Sequence, residues 1–76
     1  MTLIDFLSLD ELSRKKVIRE AAYVASRQEG ELDIILYKIE HFYVEAYFNN
    51  HTKTFERVKP FKTRKRLWLY FDVHLN

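Results

Sequence analysis

The chain reads as a small α+β domain, a long N-terminal helix packed on a three-stranded antiparallel meander, with a short C-terminal helix as the candidate last element. Three observations predict this. Apolar residues recur at helical spacing through the first thirty positions, the period falls to two after Gly30, and turn-forming residues separate runs rich in β-branched and aromatic side chains.

The helix comes first. Thr2 to Leu7 is read as an opening turn, and Ser8-Leu9-Asp10-Glu11 has capping-box spacing, with Asp10 as the competing cap. Val17, Ile18, Ala21, Val24 and Ala25 then fall on one stripe at a 3.6-residue period. Lys15, Lys16, Arg19, Glu20 and Arg27 lie mostly on the other side, and Gly30 follows as the stop signal. Leu9, Leu12 and Tyr23 project away from the stripe and form a second, weaker apolar line.

After Gly30, Leu32 to Ile39 and Phe42 to Phe48 read as a hairpin closed by Glu40-His41. With Ile39 opposite Phe42, one face carries Ile35, Tyr37, Ile39, Phe42, Val44, Ala46 and Phe48 and meets the helix. The other carries Ile34, Leu36, Lys38, Tyr43, Glu45 and Tyr47, which is too apolar to be left in water and needs a cover. Asn49 to Lys53 is the next turn, and Thr54 to Lys59 returns as an edge strand that stops near Pro60, a residue without a ladder donor. From Lys62 onward, alternation of Leu67, Leu69, Phe71 and Val73 suits a strand, whereas Thr63 can cap a helix over Thr63 to His74.

Composition narrows the function. The 76 residues include one Gly, one Pro and no Cys, and aromatics make up 16%, so the chain is neither disordered nor stapled by disulfides. No segment has the length of a membrane span, and the N-terminus carries acids where a secretory signal needs basic residues, which predicts a cytoplasmic protein. A chain this short buries a smaller share of its surface than a larger domain does, which leaves the monomer marginal, and the usual remedy without disulfide or metal is association, so a homodimer is expected. Leu12, Tyr23, Ile34, Leu36, Tyr43 and Tyr47 are the candidate interface.

Chemistry-bearing patterns are sparse. His41, His51 and His74 lack the spacing of a metal site, and Ser8, Ser13 and Ser26 have no nucleophile elbow, so no metal, cofactor, small-molecule substrate or catalytic role is expected. A carboxylate pair of Glu45 with Glu56 across neighbouring strands competes with ordinary ion pairs to Lys or Arg. Charge is unevenly divided: residues 1–50 carry six Lys/Arg and nine Asp/Glu, and residues 51–76 carry seven Lys/Arg with Glu56 and Asp72. Lys53, Arg57, Lys59, Lys62, Arg64, Lys65 and Arg66 form a basic run interleaved with Phe55 and Phe61 and followed by Trp68 and Tyr70. Cations with aromatics are what a nucleic-acid platform requires, whereas lysines on an edge strand also block aggregation. The sequence therefore points first to a non-catalytic, homo-oligomeric interaction or structural module, with nucleic-acid binding through residues 53–66 as the alternative.

The runs Leu36-Tyr37-Lys38-Ile39, Phe42-Tyr43-Val44-Glu45, Val58-Lys59-Pro60-Phe61-Lys62-Thr63 and Leu67-Trp68-Leu69-Tyr70-Phe71-Asp72 resemble a family of short uncharacterised bacterial α+β proteins. The resemblance implies helix, three-stranded meander and short C-terminal helix, with no assigned activity. This chain departs from the family pattern at Glu40-His41, where a Gly or Asn is usual, and at Trp68-Leu69, where Glu-Pro is usual.

Overall fold

The computed structural model describes residues 1–71. Its order is α1 (Leu3–Leu7), α2 (Glu11–Glu20), β1 (Ala22–Glu29), β2 (Leu32–Ile39), β3 (Phe42–Asn49), β4 (Thr54–Phe61) and a 3₁₀ helix, η1 (Arg64–Leu69). The strands form one antiparallel sheet in the order β1-β2-β3-β4.

Two corrections follow. The sheet has four strands rather than three, and the long N-terminal helix is instead two short helices followed by a strand. Thr2 opens α1 with a capping box shared with Asp5, and the Asp10 side chain caps α2 by accepting from Ser13 N at 2.7 Å. Ala21 leaves the helix with extended backbone (φ −76°, ψ 160°), and the chain runs on as β1. Helical periodicity was misleading there because Val24 and Ala25 satisfy the stripe by spacing alone. The competing demand comes from β2, whose Ile34 and Leu36 are fully buried and whose backbone needs a ladder on both sides. β1 supplies the second ladder, with Arg27 opposite Ile34 and an irregularity between Tyr23 and Ala25.

Gly30 is therefore a turn residue and not a helix stop. With φ +61° it occupies the first position of a two-residue hairpin turn, and Glu40 does the same at φ +52° between β2 and β3. Ile39 does pair with Phe42. Between β3 and β4, Asn49 Oδ1 accepts from the His51 and Thr52 amides at 2.9 and 3.0 Å, and Lys53 takes the positive φ. Strand β4 runs two residues past the expected end, with Pro60 inside it opposite Val44, as an edge strand permits.

The helices cover one sheet face. Phe6, Ile18, Ile39, Phe42 and Val44 form the core, joined by Leu3, Leu9, Val17, Tyr37 and Val58, and the Phe6 and Phe42 rings meet at 5.8 Å between centroids. The cover stops partway: Ile35 and Phe48 are half-buried and Phe55 is exposed on that same face. On the opposite face lie Ala25, Arg27, Ile34, Leu36, Tyr43, Glu45 and Tyr47, and the C-terminal segment crosses it. Thr63 caps η1, accepting from Lys65 N at 3.3 Å, as expected of a C-terminal helix; the helix is of 3₁₀ type and ends at Leu69, short of the expected Thr63 to His74 span, and it displaces the rival strand as far as Phe71. His74 lies outside the described residues. No helix among the described residues is long and apolar enough to cross a membrane.

Candidate functional site

Glu45 sits in the middle of β3, between Tyr43 and Tyr47 on one face, and is fully buried. A carboxylate there needs partners, since an unpaired buried charge costs several kcal/mol, of order 3–5 when one partner of such a pair is lost. Three are present. Arg66 Nε donates to Oε1 at 2.7 Å, the Tyr70 hydroxyl donates to Oε2 at 2.7 Å, and an Arg27 nitrogen reaches Oε2 at 3.4 Å. Arg27 also pairs with Glu29, and its guanidinium lies 5.4 Å from the Tyr70 ring centre. A second Arg66 nitrogen reaches the Tyr47 hydroxyl at 3.4 Å.

The electrostatics follow from this geometry. Burial pushes the Glu45 carboxyl up, but hydrogen bonds from Arg66 and Tyr70, the Arg66 charge and the Arg27 contact outweigh it and hold the group below its ordinary value. Tyr70 moves the other way. Desolvation and the hydrogen bond to Glu45 raise its phenol, against the opposing effect of Arg27. Three donors share the two oxygens of Glu45, so the group works as an anchor for the C-terminal cover. The Glu45 and Glu56 pairing does not form: Glu45 faces Lys59 in the ladder, and Glu56 accepts from Asn49 at 2.8 Å. Among the described residues no cluster of three His or acidic side chains could hold a metal.

The candidate interface residues divide between environments. Ile34, Leu36 and Tyr47 are buried within the chain on the Glu45 face, and Tyr43 is half-buried with its ring stacked on Phe61 at 5.6 Å. Leu12 and Tyr23 are exposed, at 78% and 63%.

The basic residues converge. Lys53 stays in its turn, with Nζ bonded to Asn50 Oδ1 at 2.8 Å. Arg57 and Lys59 project from β4 on the Glu45 face, opposite Tyr47 and Glu45, and Arg57 lies 4.5 Å from the Tyr47 ring centre. Lys62, Arg64 and Lys65 are exposed on the segment that crosses this face, while Arg66 is committed to Glu45. Lys38 and Arg27 come from β2 and β1 on the same side. Against these cations stand Glu29 and Glu45, both already paired, and Glu56, bonded to Asn49. The acids of the helices and their caps, Asp5, Asp10, Glu11 and Glu20, lie on the other side of the sheet. The imbalance between the two halves of the sequence thus becomes an imbalance between two faces of a slab.

Sequence reasoning missed Arg27, placed on a helix, and the joint role of Glu45 with Tyr70. One signal was available: Glu45 is the lone acid in the otherwise apolar run Phe42 to Phe48. No family model, curated protein or solved structure matches the chain.

Proposed function

We propose that the protein is a non-catalytic, self-associating interaction module of the cytoplasm, and that two copies meet through the half of the sheet that the helices leave open. One observation carries the reading: Phe55 is 53% exposed, beside the half-buried Phe48 and Ile35, on the same face as the hydrophobic core. A groove of about 570 Å³ runs there between α2 and β4, floored by Tyr37, Ala46, Phe55 and Val58. Its rim carries both signs of charge, Arg14, Lys15 and Arg19 with Glu11 and Glu56, as a self-complementary contact requires. Leu12 on α2 and Tyr23 on β1, opposite Tyr37, are further exposed apolar side chains on the helix side of the sheet. The absence of cysteine suits a reducing compartment.

Light scattering at about 10 to 100 μM tests this, a range that spans weak association. A dimer mass is expected, reduced toward the monomer by Phe55→Lys and by Tyr23→Lys. A wild-type protein that stays monomeric throughout this range would overturn the proposal, as would a dimer that both variants leave intact.

A further inference from the structure

We propose that the basic side of the slab binds single-stranded nucleic acid without sequence preference. This surface lies across the sheet from the proposed self-association face, and the inference stands independently of it.

Four features support the assignment. Arg57 and Lys59 stand on the same face of an edge strand, about 6.8 Å apart at two residues of strand rise, so their charges fall in a row along β4. The row continues beyond the strand through exposed Lys62, Arg64 and Lys65. Because side chains three apart nearly eclipse in a 3₁₀ helix, Lys65 and Trp68 share one side of η1, and both are exposed, Trp68 at 58%. Finally, Glu29 and Glu45 on this side are held by Arg27 and Arg66 and Glu56 accepts from Asn49, so each has a partner outside the row of free cations. Cations in a line answer a phosphate backbone, and an exposed indole at the end of the line offers a stacking surface that any unpaired base can use. A lipid surface is the poorer match, since exposed Trp68, Leu69 and Phe71 gather at one end of the row and do not form a continuous apolar face.

Trp68 is the chain's one tryptophan, so its fluorescence reads the event directly. Titrate the full chain with oligothymidylate of about 12 nucleotides, within the usual site sizes, at about 50 and 200 mM salt. Quenching is expected, with affinity falling as log[salt] with a slope of about −3 for four or five phosphate contacts. Lys59→Glu with Lys65→Glu should weaken binding at least about tenfold and flatten the slope by about 1.4, and the milder pair Lys59→Gln with Lys65→Gln should shift the slope the same way. Trp68→Ala, followed by anisotropy of a labelled oligonucleotide, should weaken binding about fivefold or more with the slope unchanged. Circular dichroism confirms that each variant is folded. The proposal fails if the folded wild type shows no binding at the lower salt, or if a duplex of the same length binds as tightly as the single strand. Binding indifferent to both glutamine and alanine variants would also overturn it, as would capture by phosphatidylserine vesicles without oligonucleotide binding.

Discussion

Arg66 Nε donates to Glu45 Oε1 at 2.7 Å, joining residues 21 positions apart and fastening the C-terminal segment to the middle of the sheet. Glu45 is wholly buried, whereas the Arg66 side chain keeps 29% of its surface in water. The energetic weight therefore lies with the carboxylate: removing Arg66 strands a charge that has no access to solvent, and removing Glu45 frees cations that can partly rehydrate.

That asymmetry orders a set of substitutions. Arg66→Ala should destabilise by about 3 kcal/mol, as expected for an uncompensated buried carboxylate. Tyr70→Phe removes one hydrogen bond to a charged acceptor and keeps the ring, so about 1.5 kcal/mol is expected. Urea midpoints at constant m-value measure both. An order reversed from this would mean that Tyr70 and not Arg66 is the principal partner.

The same cluster sets a pH window. Glu45 titrates below its ordinary 4.5 when folded, so its contribution is complete above that value and is lost as pH falls through the folded value. Tyr70 titrates above its ordinary 10.0, so its contribution is complete below pH 10 and disappears as pH rises toward the folded value. Unfolding free energies should decline on the acid side and again above pH 10, with Tyr70→Phe abolishing part of the alkaline decline. Asp5 and Asp10, held low by hydrogen bonds within their helix caps, add to the acid sensitivity in the same direction. A Tyr70→Phe profile that parallels the wild type above pH 10 would contradict the assignment.

Docking of α1 rests on one side chain. Phe6 is 1% exposed against Phe42, and Ile4 two residues earlier is 74% exposed. Phe6→Ala should cost about 3 to 4 kcal/mol through the lost transfer energy and the cavity, and Ile4→Ala close to nothing. Thermal melts of the two variants make the comparison. Similar losses would show that α1 packs through a different face.

Two hairpin turns with the same sign of φ differ in sequence, which makes them a matched test. At Gly30 an added Cβ meets no atom within 4 Å, yet φ is +61°, so Gly30→Ala should cost about 1 kcal/mol from backbone strain alone. Glu40→Gly relieves the same strain at φ +52° but removes the ion pair to the Met1 amino group at 2.6 Å. An exposed pair of this kind contributes about 0 to 1 kcal/mol, so the expected net is a gain of a few tenths. Measured stabilities that fall for both variants would mean that the Met1 contact outweighs the turn.

Much of the meander was legible because it is specified by short-range pattern. Two apolar β runs with two residues between them set the Ile39 and Phe42 pairing, and alternation then assigned Ile34 to Ile39 and Phe42 to Phe48 to their faces. β1 was misread although its signal was present. Strands of eight residues and turns of two recur from Ala22 to Asn49, so Gly30 repeats the position that Glu40 holds in the next hairpin. The helical stripe competes with that rhythm, because Val24 and Ala25 suit either period and Gly serves equally as a helix stop or a turn.

By itself the sequence determined the composition of an α+β chain, the β2–β3 register, the need to cover Leu36 and Tyr47, and the edge character of the strand that holds Pro60. Local physics suffices for these, since propensity, alternation and the missing proline donor act over a few residues. Only the tertiary structure decided that Ala22–Glu29 is a strand, that Arg27, Arg66 and Tyr70 meet at Glu45, and that Arg57, Lys59 and Lys65 share a side of the sheet. The Glu45 cluster depends on contacts between residues 18 to 25 positions apart and β1 on pairing that reaches from Ala22 to Lys38, where the pairing requirement of a buried carboxylate and the ladder requirement of β2 override local preference.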